Sequence, residues 1–278
     1  MLYVVATPIG NRDDITLRAL RVLNNVAVIA AEDTRHTGRF LRHHGIAAKY
    51  ISYHEHNENE RTPGLLKKLA AGESIALVTS AGTPSISDPG FRLINTVIDS
   101  GAKVIPIPGV SAAITALSAS GLPTDAFVFI GFLSKRRGKR IKQLKSLSGE
   151  PRTMIFYESP NRIVKLLALI LELMGDRHAV LAREMTKLHE EFLRGSISEL
   201  LGLLGERRQI KGECTLLIAG NPENGEAALD LARDELIKRL ADDDKNLSEL
   251  VKEISRKYGV SKNNVYDEAL KIKGCRRK

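Results

Sequence analysis

The segment SIALVTSAGTPSISDPG (residues 74–90) joins a short apolar run to a long loop rich in Gly, Pro and Ser. Residues 74–79 have the length and the β-branched content of a buried strand. The loop 79–90 contains glycines that allow tight turns, prolines that stiffen it and several hydroxyl side chains. Its backbone amides, placed ahead of a helical pattern, are expected to be exposed and to bind an anionic group.

Four more apolar runs of this kind lie in the first 120 residues, and amphipathic helical patterns separate them. Alternation of strand and helix predicts a parallel sheet. The connections into the strands are plain turns, whereas the connections out of them are long and polar. Because the exits of parallel strands share one edge of a sheet, we expect the functional site at that edge. The predicted strands are 2–6, 26–30, 49–53, 74–79 and 103–107.

A second set of patterns begins after Pro123-Thr124-Asp125, which has the composition of a hinge. Helices are predicted at about 137–147 and 160–174. The segment 191–194 reads as a returning strand, which predicts a mixed sheet rather than a parallel one. The other strands of this set are predicted at 127–132, 153–157, 179–183 and 213–219.

Polar helical patterns fill the rest of the chain after residue 222. One ends at Tyr258-Gly259-Val260, and the next begins at Ser261, a good N-cap residue. Two helices joined by a Gly-containing turn are typical of a helix-turn-helix, and equally of an ordinary helical hairpin. The predicted fold class is therefore α/β, with an N-terminal domain (1–120), a C-terminal α/β domain (121–222) and a helix-turn-helix-like tail (223–278).

The charge of the chain favours a polyanionic partner. The formal net charge is +9, and a positive field concentrates phosphate-bearing ligands. Residues 135–145 contain a cationic run without an acidic residue, which is typical of a phosphate-binding surface rather than of a solvated helix face. The cations of this run are Lys135, Arg136, Arg137, Lys139, Arg140, Lys142 and Lys145.

The sequence lacks the motifs that several classes of enzyme require for their chemistry. The sequence has no G-x-G-x-x-G, no phosphate loop followed by Ser or Thr, and no G-x-S-x-G. Cys214 and Cys275 are too far apart for a metal cluster, and the pair His54 and His56 lacks further ligands, so we expect no metal. No apolar stretch reaches the roughly 20 residues of a membrane helix. We expect a cytoplasmic protein that makes no membrane contact.

Six ordered motifs, together with Ala182-Arg183-Glu184-Met185-Thr186-Lys187, resemble the ribosomal RNA small-subunit methyltransferase I family of the tetrapyrrole-methylase superfamily. The resemblance implies two α/β domains with S-adenosylmethionine between them, and usually a homodimer. It implies methyl transfer to the ribose 2′-oxygen of a cytidine in the decoding region of 16S ribosomal RNA, with RNA or the small ribosomal subunit as partner. The motifs are Ala6-Thr7-Pro8-Ile9-Gly10-Asn11, Ala31-Glu32-Asp33-Thr34-Arg35, Ala81-Gly82-Thr83-Pro84, Ser87-Asp88-Pro89-Gly90, Pro108-Gly109-Val110-Ser111-Ala112 and Phe156-Tyr157-Glu158-Ser159.

For a reaction of this kind we expect a base that accepts the hydroxyl proton, and Asp33 or Glu184 is the candidate. Cofactor contacts are expected from Pro8, Gly10, Ser80, Gly82, Thr83, Pro108, Gly109, Ser111 and Tyr157. RNA contacts are expected from Arg35, His54, Lys135, Arg136, Arg137, Arg162 and Lys187. A structural ion pair is the alternative interpretation of the charged residues near Glu158 and Glu184.

The chain departs from the family pattern at Ser80, because related sequences usually have an acidic residue before Ala-Gly-Thr-Pro. A hydroxyl accepts a hydrogen bond but supplies no counter-charge to a sulfonium or ammonium group. Two alternatives stay open on the sequence alone. One is a methylase of a tetrapyrrole such as a corrin precursor, and the other is a non-enzymatic ribosome-binding relative.

Overall fold

The computed structural model describes residues 1–240, 247–258 and 260–275. The chain forms two compact units. The first unit comprises Met1–Thr115 together with the later segment Glu184–Glu190, and the second comprises Ala116–Arg183 and Glu191–Lys278. The helical tail therefore groups with the second unit.

The first unit is built on a parallel five-stranded sheet, and the predicted parallel sheet is confirmed. The strand order is β3-β2-β4-β1-β5. The strands are β1 (Leu2–Val5), β2 (Val28–Ala31), β3 (Tyr50–Ser52), β4 (Ile75–Val78) and β5 (Val104–Ile107). The helices are α1 (Leu17–Asn25), α2 (Thr34–His43), α3 (Glu58–Ala70), α4 (Phe91–Asp99) and α5 (Ala112–Ser118).

Apolar clusters cover both faces of this sheet, which explains the unbroken apolar runs of its central strands. Side chains of β4 alternate between the two clusters: Ala76 and Val78 pack on the side of α1 and α2, whereas Ile75 and Leu77 pack on the side of α3 and α4. All four residues of β4 are buried. The apolar run therefore fixes β4 inside the sheet and leaves only its exit loop for chemistry.

The second unit contains a mixed sheet with the order β6-β7-β10-β8-β9, and the predicted mixed sheet is confirmed. Only β6 and β7 run parallel to each other, and the remaining neighbours are antiparallel. The strands are β6 (Phe127–Phe132), β7 (Thr153–Glu158), β8 (His178–Arg183), β9 (Glu191–Ser196) and β10 (Cys214–Ile218). The helices that accompany them are α6 (Arg137–Ser146), α7 (Pro160–Met174) and α8 (Ile197–Gly205).

Three helices form the tail: α9 (Pro222–Arg239), α10 (Leu247–Tyr258) and α11 (Lys262–Cys275). They share an apolar cluster of their own, which includes Leu236, Ile254 and Val265. The Ser261 hydroxyl accepts a hydrogen bond from the Asn264 amide at 3.0 Å, which confirms the predicted N-cap. Gly259 of the predicted turn lies outside the described residues.

Element ends differ from the prediction by one or two residues where helix and strand signals overlap. The β-branched Val26 is predicted to begin a strand, but its amide donates to the Val22 carbonyl and closes α1. The unit boundary lies between Thr115 and Ala116, and the domain limits at 120 and 222 stay predictions. Within the described part of the chain, every helix is too short or too polar to cross a lipid bilayer.

Candidate active site

The loop 79–90 that follows β4 is held between the exits of β1 and β5. Gly82 and Thr7 exchange two backbone hydrogen bonds of 2.9 Å, so the two exit loops form a short antiparallel bridge. On the other side, the Thr83 hydroxyl donates to the Val110 carbonyl at 3.1 Å. Gly82 has a φ of +76°, which favours glycine at this position. The loop is thus fixed at the carboxyl edge of the sheet, where the sequence placed it.

The backbone amides of this loop are largely occupied by the protein itself. The Ser80 amide donates to the Glu32 carboxylate at 2.9 Å, and the Gly90 amide donates to the Glu58 carboxylate at 2.9 Å. The Ser85 amide donates to the Pro89 carbonyl. Two of the amides that were predicted to bind an anion, those of Ser80 and Gly90, are therefore already bound by carboxylates of the chain. The negative charge of Glu32 and Glu58 suits a cationic group, and anion binding by the rest of the loop stays a prediction.

Ser80 is linked to Glu32 by its side chain as well as by its amide. The Ser80 hydroxyl lies 2.8 Å from Glu32 Oε2, the same oxygen that accepts from the amide. The Glu32 amide donates to the Val78 carbonyl, which places the exits of β2 and β4 side by side. Ser80 has no charge of its own, but it holds the Glu32 carboxylate in place. A carboxylate therefore lies beside position 80 although Ser80 itself is uncharged.

Two residues of the same loop have strained backbones. Ser85 and Ser87 have φ values of +66° and +64°, a conformation that costs a non-glycine residue about 1–2 kcal/mol. Such strain persists only where surrounding contacts determine the conformation, and it is concentrated at functional sites. The loop 79–90 is therefore a rigid structure rather than a flexible connection.

The later segment Glu184–Glu190 packs on the exit of β1, within the same unit. A Cβ atom at Gly10 would lie 2.6 Å from Lys187 Cγ and 2.7 Å from Thr186 Oγ1, so only glycine fits there without displacement. The Asn11 amide donates to the Thr186 hydroxyl at 2.9 Å. These contacts bring a predicted cofactor residue, Gly10, next to a predicted RNA contact, Lys187.

Glu184, one of the two predicted bases, lies in this segment and pairs with Lys187. The distance between Lys187 Nζ and Glu184 Oε1 is 2.8 Å. Glu184 and Thr186 have φ values of +50° and +63°, so the segment shares the backbone strain of the loop 79–90. The carboxylate and its ammonium partner are thus presented by a strained turn at the carboxyl edge of the sheet.

Asp33, the other predicted base, is the N-cap of α2. Its carboxylate accepts hydrogen bonds from the Arg35 and His36 amides at 2.8 and 3.0 Å. These backbone hydrogen bonds, first that of His36 and then that of Arg35, lower the pKa of Asp33. A lower pKa makes the carboxylate a weaker base. The structure therefore gives Asp33 a capping role, and Arg35 beside it is 91% exposed.

The exit of β5 contributes backbone rather than side chains. A Cβ atom at Gly109 would lie 2.8 Å from Ala6 Cβ, so Gly109 packs directly on the end of β1. Pro108 is exposed, Ser111 is half-buried and Pro8 is buried. The Ser111 carbonyl accepts from the Thr115 amide in the first turn of α5. The exit of β5 therefore lies against the end of β1 through a glycine.

His54 follows β3 and is held by Asn57. The His54 amide donates to Asn57 Oδ1 at 2.8 Å, and Asn57 Nδ2 lies 3.3 Å from His54 Nε2. His54 Nδ1 is buried and has no hydrogen-bond partner among the described residues. His56 lies close by, with ring centroids 5.9 Å apart. Among the residues that the structure describes, no group of three or more His, Cys, Asp or Glu side chains is arranged for a metal ion.

The second unit contains the remaining predicted residues. Arg162 donates through Nε to the Glu158 carboxylate at 2.7 Å, and Glu158 is only 3% exposed. This is the structural ion pair that the sequence left open as an alternative. Tyr157 packs edge-on against Phe129 and Phe132, with ring centroids 5.0 and 5.6 Å away.

The cationic run of the second unit is displayed on the protein surface. Lys135, Arg136 and Arg137 are all exposed at the start of α6. Within the described residues, no carboxylate lies within 4 Å of any of these three side chains. Arg140 differs from them, because its Nε donates to the Ser134 carbonyl at 2.9 Å and helps to close the first turn of α6. The exposed cations are free to meet a polyanion.

Comparison with known proteins bears directly on this arrangement. Residues 1–201 match the family model of the tetrapyrrole (corrin/porphyrin) methylases. A ribosomal RNA small subunit methyltransferase I from Streptococcus pyogenes is 45% identical over 96% of this chain and 93% of its own length. The protein of that name from Escherichia coli O157:H7 is 45% identical over 98% and 96%. The chain belongs to the ribosomal RNA small subunit methyltransferase I family.

Solved structures agree with this membership at the level of the fold. A cobalt precorrin-4 methyltransferase has a TM-score of 0.60 at 18% identity, covering 78% of this chain and 94% of that one. A uroporphyrin-III C-methyltransferase from Thermus thermophilus, complexed with S-adenosylhomocysteine, has a TM-score of 0.55 at 20% identity, with coverage of 78% and 96%. The predicted fold class and the predicted S-adenosylmethionine-dependent methyltransferase class are confirmed.

Membership of the family does not by itself assign roles to single residues, and the roles of the predicted site residues stay predictions. The sequence singled out Asp33 and Ser80 but missed Glu32 and Glu58, whose carboxylates bind the loop. Glu32 lies beside Asp33 in one motif, and the neighbouring charge was the signal available. The contact of Glu58 could not be predicted from its sequence neighbours, because its partner Gly90 is 32 residues away.

Proposed function

We propose that this protein transfers the methyl group of S-adenosylmethionine to the ribose 2′-oxygen of a cytidine in the decoding region of 16S ribosomal RNA. RNA is proposed as the substrate because of how much of the chain the sequence similarity covers. Relatives named for small-subunit ribosomal RNA match 96–98% of the chain, whereas the tetrapyrrole-methylase model matches residues 1–201. The RNA methyltransferases thus share the helical tail, which that model does not reach.

The carboxyl edge of the first unit suits S-adenosylmethionine by its charge. The cofactor contains cationic sulfonium and ammonium groups, and the Ser80-bound Glu32 carboxylate supplies the opposite charge. Gly109 packs closely on Ala6, so the backbone at the exit of β5 lies directly against the end of β1. We assign the cofactor to this surface, with backbone contacts from Pro8, Gly10, Gly82, Thr83, Pro108, Gly109 and Ser111.

Tyr157 is the predicted cofactor contact of the second unit. Its ring is fixed by two Phe side chains, which makes it a defined aromatic surface. We keep it as a proposed contact for the adenine ring.

The chemistry requires an acceptor oxygen and a group that takes its proton. When bound, the cofactor supplies a methyl group activated by a sulfonium. The ribose oxygen forms the new bond to the methyl carbon, the carbon–sulfur bond breaks, and the hydroxyl proton moves to a carboxylate. We assign this role to Glu184, because its strained segment packs on the predicted cofactor residue Gly10, whereas Asp33 caps α2 through Oδ1. Lys187 holds the Glu184 side chain in position at 2.8 Å.

RNA contacts follow from the exposed cations. Arg35, Lys135, Arg136 and Arg137 are exposed, and each can neutralise a phosphate. We also keep His54, which follows β3, as a proposed RNA contact. Arg162 is already paired with the buried Glu158, so we assign it a structural role instead of the predicted RNA contact.

Two further features belong to this proposal. We propose that the protein acts as a homodimer, as the family resemblance implies, and that it works in the cytoplasm, where the small ribosomal subunit is assembled. Sedimentation equilibrium tests the first point, with a mass of twice the 30.6 kDa of the chain expected and a single-chain mass contradicting it.

The position of the methyl group on the nucleoside is the direct test of the proposed reaction. Small subunits lacking the modification are incubated with the protein and S-adenosylmethionine, and their RNA is digested to nucleosides for mass spectrometry. We expect 2′-O-methylcytidine. A methyl group on the cytosine ring would contradict the proposal. Glu184→Gln is expected to lower the transfer rate at least a hundredfold while cofactor affinity in calorimetry stays within twofold.

A tetrapyrrole methylase is the second candidate, because the family model and the solved neighbours carry that name. The solved neighbours are below 25% identity and establish the fold alone. A tetrapyrrole is small and planar, so it would not bind along the row of exposed cations on α6 as a nucleic-acid backbone can. We therefore keep this candidate as the alternative outcome of the transfer experiment.

A further inference from the structure

Helix α2 presents three arginines on one face, next to the edge strand of the first sheet. Arg35, Arg39 and Arg42 are spaced four and three residues apart, so they lie on the same side of the helix. Together with Tyr50 at the start of β3 they line an open groove of about 570 Å³. We call this the α2–β3 groove. It lies entirely within the first unit.

A glycine in α2 makes room for the tyrosine of this groove. A Cβ atom at Gly38 would lie 2.8 Å from the Tyr50 hydroxyl oxygen, so a larger residue would push the Tyr50 side chain away. Tyr50 is 41% exposed although it belongs to a strand. The structure thus places an accessible aromatic ring across the arginine-bearing helix.

The charge of the groove is strongly positive. Among the described residues, no carboxylate lies within 4 Å of Arg39 or Arg42, and the Asp33 contact of Arg35 is long, at 3.9 Å. Asp33 also lines the groove, and its Oδ1 accepts hydrogen bonds from two backbone amides. Lys49, next to Tyr50 in the chain, is also exposed. An anion entering the groove therefore meets guanidinium groups with little competition from carboxylates of the protein.

We infer that the α2–β3 groove binds a single-stranded segment of RNA, with the three arginines on phosphates and Tyr50 stacked on a base. The guanidinium fork matches phosphate oxygens, and stacking on aromatic side chains is the usual contact of unpaired bases. The inference rests on the proposed function and deepens it, because it gives the RNA substrate a contact surface on the first unit.

The dimensions of the groove favour a single strand over a duplex. From Arg35 to Arg42 the helix rises about 10 Å, which is the length of about three nucleotides stacked at 3.4 Å. A base must leave its own stack to meet Tyr50, and the bases of a duplex do not. An acidic protein segment would use the arginines but would gain nothing specific from the aromatic ring.

Removal of two charges tests the phosphate contacts. A fluorescein-labelled single-stranded 12-nucleotide RNA is titrated with the full chain at several salt concentrations, and anisotropy reports binding. We expect Arg39→Gln combined with Arg42→Gln to weaken binding about tenfold or more at low salt. The slope of log K against log salt should become shallower by about 1.4, because each phosphate contact contributes about 0.7.

The matched control removes two exposed charges from α1 of the same unit, by Arg18→Gln combined with Arg21→Gln. This variant has the same net charge as the groove variant, so any effect of overall charge is equal in the two. A control variant with an unchanged salt slope supports the groove. Equal losses in both variants would overturn it.

Substitution of Tyr50 tests the stacking contact separately from the charge of the groove. Tyr50→Phe keeps the ring, whereas Tyr50→Leu keeps apolar volume over Gly38 without a stacking surface. We expect the leucine variant to bind the single strand at least fivefold more weakly and the phenylalanine variant to bind it like wild type. Equal affinities of the two variants would overturn the stacking contact. Thermal unfolding verifies that both variants are folded.

Cofactor affinity, measured in parallel by calorimetry, separates the inference from the proposed function. Groove variants that keep both cofactor affinity and RNA affinity overturn the groove and leave the proposed function intact. A wild-type chain that binds cofactor but no RNA overturns both. A groove that takes an oligoglutamate peptide in preference to the RNA probe also overturns the inference.

Discussion

At the scale of single residues, the Glu32–Ser80 contact decides whether the first unit can hold a cationic cofactor. We expect Glu32→Gln to weaken S-adenosylmethionine binding about tenfold in isothermal titration calorimetry. Glutamine keeps an oxygen for the Ser80 amide and hydroxyl, so the variant removes the charge and little else. A hydrogen bond to a charged group is worth about 1.5–3 kcal/mol, which corresponds to at least a tenfold change.

The control for this prediction is Glu73→Gln. Glu73 carries the same charge in the same unit, but it precedes β4 and pairs with Lys68 at 3.3 Å. Its substitution should leave cofactor affinity unchanged. Equal affinity of the Glu32 variant and wild type would show that the carboxylate does not face the cofactor.

A different prediction concerns Asp33, because its carboxylate caps helix α2. Asparagine caps helices as well as aspartate does, whereas alanine does not. We expect Asp33→Ala to lower the midpoint of thermal unfolding by about 2–4 °C, while Asp33→Asn stays close to wild type. A large loss in the asparagine variant would mean that the negative charge of Asp33 stabilises the fold.

At the scale of elements, the segment Glu184–Glu190 depends on Gly10 for its place on the exit of β1. We expect Gly10→Ala to cost about 1–3 kcal/mol of stability, because the added methyl group overlaps Lys187, Thr186 and the Met185 carbonyl. Hydrogen exchange followed by mass spectrometry should show that the variant exchanges faster than wild type in residues 184–190. The increase in β4 should be smaller.

Gly64→Ala is the matched control for Gly10→Ala. Gly64 lies inside α3, and a Cβ atom there meets nothing within 4 Å. Alanine in a helix interior should stabilise the protein by about 0.5–1 kcal/mol. Unchanged exchange of residues 184–190 in the Gly10 variant would contradict the packing described for this segment.

The ion-pair cluster at the start of β9 predicts a dependence of stability on pH. Hydrogen bonds from Arg207 and then from Arg183 lower the pKa of Glu191 to about 2. A depressed carboxyl pKa stabilises the folded state above the ordinary value of 4.5, and this contribution is lost as the pH falls towards 2. Glu191→Gln should therefore cost about 1–3 kcal/mol at pH 7 and progressively less below pH 4.5.

Urea denaturation of wild type and variant from pH 7 to pH 2.5 measures this difference. Glu172→Gln, at an exposed position of α7, is the control and should show no pH-dependent difference from wild type. If the difference in the free energy of unfolding between wild type and Glu191→Gln stays constant over the whole pH range, the assignment of the lowered pKa is contradicted.

The central strands β2 and β4 of the first sheet were predictable because they are buried on both faces. Unbroken apolar runs such as that of β4 have no polar interruptions, so each run marks a strand even without alternation. Strand ends were less predictable, because a residue such as Val26 suits a strand and also closes a helix. The helix cap at Ser261 was predictable since capping is a local interaction.

At the scale of the whole molecule, the contacts that sequence reasoning missed are those between distant parts of the chain. Glu32 and Ser80 are 48 residues apart, and Asn11 and Thr186 are 175 residues apart. Periodicity and local composition report only on neighbours in sequence, so the carboxylates that bind the Ser80 and Gly90 amides could not be identified from the sequence alone.

The charge of the molecule is distributed over both units. The net charge is +9, and exposed cations occur on α2 of the first unit and on α6 of the second. Two separate cationic surfaces suit a long polyanion better than a small ligand, because each phosphate contact adds to affinity. This distribution, and the helical tail shared with the relatives, favour ribosomal RNA over a tetrapyrrole.

The most direct test of this account is the destination of a labelled methyl group. The protein is incubated with S-adenosylmethionine labelled in the methyl group and, in parallel, with small ribosomal subunits, naked 16S RNA or a corrin precursor. We predict that the label enters 16S ribosomal RNA at the ribose of one cytidine and that the corrin precursor stays unlabelled. Label in the corrin precursor, or no transfer to RNA in either form, would contradict the account.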